Sequence, residues 1–441
     1  MRQNLILKVM ILGGLAVAFA IALLTIEGVM TGRQRYRDQA TAEVARSTAG
    51  SQALTGPVLV VPFRERLTPP ATGGVTAPPQ IANGEVVLLP DSLHIRSSVK
   101  VEERYRGIYR VQVYRATQRL AGVFRVPARL GLAATRDVIQ AESGSLVLGV
   151  SDSRGLRRPP EVRLGGVPAA VEPGTGQGWL LQGFSADAGP LLADQAIRVP
   201  FEIDLELIGT DRLTFVPVGA STHAEMASEW RHPSFTGGFL PDERSVTDQG
   251  FKATWQLSRY ATGVDALVQN RHVGAKPIPE ACDFGVRFVT PVDVYQQSTR
   301  AVKYGMLFVV LTFTGFFLFE VLKRMAVHPI QYGMAGAAIA MFFLLLISLS
   351  EHIPFALAYV AASAGCVGLL AFYVGHVLHS AARGLGFGGL LASLYAVLYV
   401  LLLSEDYALL LGSLLLFALL GAVMIMTRRV DWYRVGEPTA S

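Results

Sequence analysis

Charged residues are scarce in this chain of 441 residues. They make up 17% of the sequence, whereas a soluble globular domain usually has about 25%. Hydrophobic residues reach 51%, and most of the excess lies in residues 9–26 and after residue 304. The shortage of charge therefore indicates that part of the chain contacts lipid. The middle of the chain has the composition of an ordinary folded domain.

Cysteine and dense basic runs are also lacking. The chain has two cysteines, Cys282 in the middle region and Cys366 inside an apolar segment, so we expect no intrachain disulfide. The net charge of +5 comes mainly from arginines scattered between residues 33 and 271. A protein that binds along a phosphate backbone usually has a denser basic patch. Nucleic acid is therefore not an expected partner.

Recognised catalytic signatures are missing from the sequence. It contains no HExxH, GxSxG, Walker loop, dinucleotide fingerprint or paired CxxC motif. Ser350 lies close to His352 in sequence, but a catalytic triad depends on geometry rather than on adjacent positions. We therefore predict a protein that is not an enzyme, with no cofactor and no metal site.

Residues 9–26 form an uncharged run of 18 residues preceded by Arg2 and Lys8. At 1.5 Å per residue, such a run is long enough to cross a hydrocarbon core of about 30 Å. The alternative is a cleaved signal peptide, but its apolar region usually has about 7–15 residues and is followed by small residues at the cleavage site. Residues 27–30 lack that pattern. We expect a retained anchor at residues 1–30.

Five further apolar runs predict a helical bundle at residues 304–427: residues 304–322, 331–350, 353–377, 385–403 and 407–427. Six spans place both termini on one side. The two short opposite loops, around Glu351 and Glu405, contain no Lys or Arg. The positive-inside rule therefore predicts cytoplasmic termini, including a tail at residues 428–441. Arg33, Arg300 and other cations lie on the outer side, but long domains translocate largely regardless of charge.

Residues 31–303 are predicted to form a large, mainly β periplasmic domain between the first and second spans. A helix is expected at residues 34–49, and strands at residues 58–61, 97–101, 109–114 and 201–208. Residues 67–80 have the composition of a flexible loop. Short strands with frequent turns indicate a largely antiparallel domain, either one sandwich or two sandwich-like halves. The predicted fold class is thus a polytopic α-helical membrane protein of about six transmembrane helices with this domain inserted.

Two acidic turns are the first candidate functional residues: Glu351 with His352, and Glu405 with Asp406. Both follow a serine at the outer end of an apolar run, and both precede an Ala-Leu pair. Ionisable groups at membrane depth often mark function, so a paired-carboxylate site for protons or a cation is one interpretation. The other is that Ser350 and Ser404 cap the following helices, while the acids favour the positive helix N-termini.

An aromatic, turn-rich segment containing Trp230, His232 and Phe235 is the second candidate. Gly237 and Gly238 follow it. Exposed aromatic clusters can anchor a protein or membrane interface. The alternative interpretation is a tight loop that packs against its own core.

Several sequence strings resemble one family. In the C-terminal part they are RAVKYGMLFVVLTF (300–313), HPIQYG (328–333), SLSEHIPFALAY (348–359), LSEDYALLLGSLLLF (403–417) and TRRVDWY (427–433). In the middle region they are TGPVLVVPF (55–63), ERYRGIYRVQVY (103–114), GVSDSRG (149–155) and WRHPSFTGGFLP (230–241). Together, and in their order along the chain, they resemble the CreD family of bacterial inner membrane proteins.

The resemblance implies a Gram-negative inner membrane location, a role in cell envelope integrity, and expression under a two-component system linked to carbon source and β-lactam stress. It also implies a link to colicin tolerance, but it transfers no catalytic residues. We therefore expect an envelope protein whose β domain binds or scaffolds envelope proteins or cell-wall components, with the lipid bilayer as its other partner. The alternative is a transporter or lipid-linked enzyme that uses Glu351 and Glu405.

Overall fold

The computed structural model describes residues 2–67, 80–133, 137–180, 182–264, 282–289, 294–323, 328–377, 379–403 and 408–428. The chain divides into two compact units. The first, here called the helical unit, combines Met1–Arg37 with Val292–Ser441, and the second, the β unit, is Asp38–Pro291. The predicted boundaries lie after residues 30 and 303. The first helix crosses the former without a break, from Arg2 to Ser47, and a helix at Val294–Lys303 precedes the latter.

The described strands of the β unit are β1 (Gln52–Leu67), β2 (Gln80–Leu88), β3 (Pro90–Arg106), β4 (Tyr109–Val126), β5 (Asp137–Ala141), β6 (Ser143–Val150), β7 (Glu161–Leu164), β8 (Val167–Pro168), β9 (Val171–Pro173), β10 (Gly183–Pro190), β11 (Ile197–Thr210), β12 (Arg212–Val216), β13 (Ser221–Ser228), β14 (Pro233–Gly237), β15 (Glu243–Thr247), β16 (Gly250–Ser258) and β17 (Phe284–Phe288). Helix α1 (Arg2–Ser47) precedes them, and the short α2 (Arg259–Thr262) follows β16.

The strands form two sheets. One has the order β14-β17-β12-β1-β6-β10-β9, with β2 and β5 also paired to β1, and the other has the order β15-β16-β13-β3-β4-β11-β7-β8. In the described residues, β1 pairs with β12 and β3 with β13 in parallel, and the other strand pairs are antiparallel. The four strand segments predicted from the sequence lie within β1, β3, β4 and β11. Residues 68–79 of the predicted loop lie outside the described residues.

One hydrophobic core contains residues of both sheets. Side chains alternate across a strand, so every second residue is buried from Leu93 to Val99 of β3 and from Tyr114 to Leu120 of β4. Ile95, Leu120 and Ile203 lie opposite one another on β3, β4 and β11, and they share the core with Leu54 and Leu146 of the other sheet. Burying each such side chain contributes about 1.5–3 kcal/mol. The core fixes the register, because a shift of one residue would expose it.

The helical unit contains the first part of α1 and six further described helices: α3 (Val294–Lys303), α4 (Gly305–Lys323), α5 (Pro329–Ser350), α6 (Phe355–Val377), α7 (Ala381–Leu403) and α8 (Ala408–Thr427). In the described residues, four helices are long and apolar enough to cross a membrane, namely the Met10–Ser47 part of α1, α5, α6 and α7. Helices α3 and α4 give a fifth if they count as one span, bent by 40°, and α8 contains the shorter apolar stretch Leu410–Ile425. These features fit a multi-pass membrane protein with a large, mainly β domain.

Local signals set the limits and packing of these helices. His328 caps α5, since its Nδ1 accepts the Ile330 N–H at 3.3 Å while Gln331 Oε1 accepts the His328 N–H at 3.2 Å. Helices α6 and α7 approach closely at Gly384, where a Cβ atom would overlap the Ala371 carbonyl. Small residues at such contacts are typical of membrane helix pairs.

Candidate functional site

Glu351 lies in the turn between α5 and α6, in the helical unit. The preceding Ser350 ends α5, and its hydroxyl donates to the Ile347 carbonyl of the same helix at 2.9 Å. That bond differs from the expected cap on α6. Pro354 directly precedes α6, and its carbonyl accepts the Ala358 N–H at 3.0 Å. One of these hydrogen bonds lies within the last turn of α5, and the other lies at the start of α6.

The Glu351 carboxylate is nearly buried, with 8% of the side chain exposed. Its Oε1 lies 3.5 Å from Arg33 Nε on α1 and accepts a hydrogen bond of 3.3 Å from the Tyr295 hydroxyl on α3. The Arg37 guanidinium lies 5.8 Å from the Tyr295 ring centroid. A carboxylate away from water is costly unless it is paired and hydrogen-bonded. These four residues, Arg33, Arg37, Tyr295 and Glu351, are called the Glu351 cluster below.

The other acidic-turn candidates do not join this cluster in the described residues. His352 is exposed, and its backbone N–H donates to the Leu349 carbonyl at 3.0 Å. Glu405 and Asp406 lie outside the described residues. A shared site formed by Glu351 and Glu405 therefore stays a prediction.

Trp230, His232 and Phe235 lie together at the β14–β17 edge of the nine-stranded sheet. The Trp230 indole Nε1 donates to the carbonyls of His232 at 3.1 Å and Val289 at 3.2 Å. The Phe235 ring lies 6.1 Å from that of Trp255, a fully buried core residue. The segment therefore packs partly against its own core, while the His232 side chain is exposed.

A polar turn at Asp152 was not singled out by the sequence interpretation. Asp152 Oδ2 accepts the Gly50 N–H at 3.0 Å, and its Oδ1 accepts the Arg154 N–H at 3.1 Å. The buried Gln52 amide donates to the Asp152 carbonyl at 2.9 Å and accepts the Asp152 N–H at 3.3 Å. The turn thus connects the segment after α1 to the segment after β6. We call Gly50, Gln52, Asp152 and Arg154 the Asp152 turn.

Electrostatics at the Asp152 turn favour the ionised carboxylate. Arg154 Nη2 lies 2.6 Å from Asp152 Oδ2, and Arg154 Nη1 donates to the Arg46 carbonyl. The hydrogen bond from Arg154, together with those from backbone N–H groups, lowers the pKa of Asp152 from 3.8 to about 2. Nearby, burial raises the pKa of Tyr114 well above its ordinary value. Its hydroxyl donates to the Arg212 carbonyl at 2.8 Å.

An open groove of about 330 Å³ lies across β3, β13, β16 and β15 of the β unit. Its polar lining includes Lys100, Lys252, Glu229 and the hydroxyl residues Ser98, Ser228, Ser245 and Thr247. Ser98, Ala227, Lys252 and Ser245 are cross-strand neighbours, so they form one row on the exposed face. Within the part of the chain that the structure describes, neither Lys100 nor Lys252 has an ion-pair partner.

The described residues offer no evident metal centre, since no three His, Cys, Asp or Glu side chains lie close enough together to hold an ion. The sequence indicates Glu351 as a candidate, but it does not indicate that Arg33 and Tyr295 contact it. It indicates Arg33 only as one of several flanking cations, and GVSDSRG only as part of the family resemblance. Its acid and arginine two residues apart, between turn-forming residues, were the available signal for the Asp152 turn.

Comparison with known proteins identifies relatives of the whole chain. The family model described as "Inner membrane protein CreD" matches residues 4–433. The inner membrane protein CreD of Escherichia coli (strain K12) is 34% identical over 443 residues, which covers 99% of this chain and 96% of the relative.

Solved structures give much weaker similarity. The M1 zinc metallopeptidase from Deinococcus radiodurans aligns over 80% of this chain and 96% of its own, with 9% identity and a TM-score of 0.22. Native yeast LTA4 hydrolase aligns over 47% of this chain and 30% of its own, with 9% identity and a TM-score of 0.19. Scores this low carry no argument about fold or activity.

Proposed function

Because the chain belongs to the CreD family of inner membrane proteins, we propose that it supports cell envelope integrity under β-lactam and colicin stress by binding an envelope component through its β unit. We assign it six spans, formed by α1, the bent pair α3–α4, and α5 to α8. Both termini are then cytoplasmic and the β unit is periplasmic. The absence of Lys and Arg from the Glu351 turn supports this orientation.

The groove on the eight-stranded sheet is the observation that carries the binding proposal. On the same face, Arg119 is paired with Asp204 at 3.5 Å. In the groove, Lys100 and Lys252 keep their charge available, beside the row of Ser98 and Ser245. Ammonium and hydroxyl groups together suit a ligand with carboxylate or phosphate groups. An acidic component of the envelope fits this chemistry, although Glu229 would repel it from one side.

The geometry of Glu351 supports scaffolding rather than transport or a lipid-linked reaction. An ion pair together with a hydrogen bond holds a nearly buried carboxylate in one position. Glu351 Oε1 already contacts both Arg33 and Tyr295. The binding proposal therefore places function on the β unit and a structural role on Glu351.

The test is charge reversal in the groove. The full chain with Lys100→Glu and Lys252→Glu is expressed in a strain that lacks its own copy, and survival under β-lactam stress is measured together with membrane abundance. We expect loss of protection at normal abundance. A matched control, Arg163→Glu with Arg198→Glu, reverses two exposed charges outside the groove and should protect fully.

Two outcomes would contradict the proposal. The first is full protection by the groove variant. The second comes from an alanine scan of Ser, His, Asp and Glu in the β unit, where binding predicts graded effects. Complete loss at two or three clustered positions, at normal abundance, would instead indicate an enzyme.

A further inference from the structure

The Glu351 cluster lies where both connections of the β unit enter the helical unit. The chain leaves the helical unit after Arg37 and returns at Val292. Arg37 is thus the last residue of the outgoing segment, Arg33 lies one helical turn before it, and Tyr295 lies three residues after the return. The contacts that join these four residues to one another are within the helical unit.

We infer that the Glu351 cluster is a charge clasp that holds both connections of the β unit to the membrane helices, so that movement of either connection reaches the helical bundle through Glu351. Arg33 and Tyr295 contact the same atom, Glu351 Oε1. Neither connection can then move away without the loss of a contact to this shared acceptor. Arg37 joins the two connections directly through the Tyr295 ring.

The two connecting helices differ in ways that suit this role. Helix α1 is continuous from Arg2 to Ser47, so a displacement beyond Arg37 is carried along the helix to Arg33. Helix α3 is short and meets α4 at a bend of 40°. It also contains two buried polar atoms, Gln297 Oε1 and Ser298 Oγ, that have no hydrogen-bond partner among the described residues.

Helices shorter than about 12 residues are only marginally stable on their own, so tertiary contacts hold them in place. Helix α3 has 10 residues, and its position therefore depends on contacts such as the Tyr295–Glu351 hydrogen bond. Local opening of a protein occurs first in its least stable segments. Loss of the clasp should accordingly loosen the two connecting helices before it affects the buried centre of α6.

Hydrogen exchange of the full chain in lipid nanodiscs tests the clasp. Glu351→Gln removes the charge and keeps the side-chain shape. Because Arg33 is 46% exposed, the pair is partly screened, and we expect roughly fivefold faster exchange. This change should occur in both residues 31–40 and residues 294–303, with residues 358–370 of α6 unchanged. Glu202→Gln, which breaks an exposed pair with Arg119, is the matched control and should change neither connection.

The outcomes separate a clasp from general destabilisation. Arg33→Gln leaves the Glu351 carboxylate without its cation, so it should speed exchange at the same two connections by at least as much, and the effects in the double variant should be less than additive, because both changes remove the same pair. Faster exchange at one connection alone, at neither, or uniformly with α6 would overturn the inference, as would an additive double variant. If Glu351→Gln does not accumulate, Tyr295→Phe keeps the charges and removes one hydrogen bond. Unchanged exchange of α3 in that variant would also overturn it.

Discussion

Replacing Asp152 by Asn should destabilise the β unit at neutral pH and leave it unaffected in strong acid. The carboxylate accepts hydrogen bonds from the backbone N–H groups of Gly50 and Arg154 and from the Arg154 guanidinium. Asn has nearly the same shape, but it has no charge, and its NH2 group replaces one of the two oxygens that accept N–H groups. The substitution therefore removes the charge and one acceptor, as protonation of Asp152 also does.

The magnitude follows from the pKa of Asp152. Folding lowers it from 3.8 to about 2, and a tenfold change in proton affinity is worth about 1.4 kcal/mol, so the contribution is at most about 2.5 kcal/mol. Arg154, the largest cause, is 55% exposed, and solvent screening reduces the contribution to about 1 kcal/mol. Because the folded-state pKa is the lower one, this stability is present above about pH 4 and is lost as the pH falls towards 2.

Thermal unfolding followed by tryptophan fluorescence measures this contribution, since Trp179, Trp230 and Trp255 lie in the β unit. At pH 7 we expect the variant to unfold about 2–4 °C lower than the wild type. The difference should shrink between pH 4 and pH 2. Asp204→Asn, at an exposed pair with Arg119, is the control and should change little. Equal unfolding at pH 7, or a difference that persists at pH 2, would refute the electrostatic account.

Two further predictions concern packing and topology. Gly155→Ala should lower the free energy of unfolding, measured in urea, by about 1–3 kcal/mol, because a Cβ would overlap the Gln52 amide and the Ile208 carbonyl. Gly178→Ala has open space around it and should be neutral, so equal stability of the two variants would contradict the packing. A periplasm-active reporter fused after Gly155 should be active and one fused after Tyr433 inactive, since the charges of the short loops orient the spans; the opposite pair of activities would overturn the proposed orientation.

The elements of this fold could be predicted from local patterns, because hydrophobic alternation and long apolar runs depend on neighbours in sequence. The strand segments predicted in β1, β3, β4 and β11 follow from such patterns, and the predicted apolar runs coincide with α1 and α4 to α8, but α3 lies in the region predicted as part of the β domain. The pairing of strands was not, since it depends on residues far apart. The parallel pairing of β1 with β12 joins Gln52 to Leu213, and no short-range signal encodes it. The continuity of α1 from Arg2 to Ser47 could not be predicted for a related reason, since the sequence indicates an anchor at residues 1–30 and a separate helix at residues 34–49. A change from apolar to polar composition marks where lipid contact ends, not where a helix ends.

The candidate site could be predicted only as isolated residues. Glu351 was identified because an acidic residue beside an apolar run is unusual, but its partners Arg33 and Tyr295 come from segments 318 and 56 residues away. The Asp152 turn shows the same limitation, since Gly50 and Asp152 are 102 residues apart. A sequence motif indicates which groups are present, whereas tertiary contacts decide which of them act together.

Burial, rather than separation, distinguishes the charge contacts that can organise this molecule. Arg106 and Glu43 lie 3.0 Å apart, closer than Arg33 and Glu351 at 3.5 Å. Yet the first pair is 65% and 47% exposed, and such surface pairs contribute about 0–1 kcal/mol. Glu351 is 8% exposed, so a missing partner would leave a carboxylate away from water, which costs much more than the loss of a surface contact. A ranking by distance would therefore choose the weaker pair, and a ranking by burial places Glu351 first.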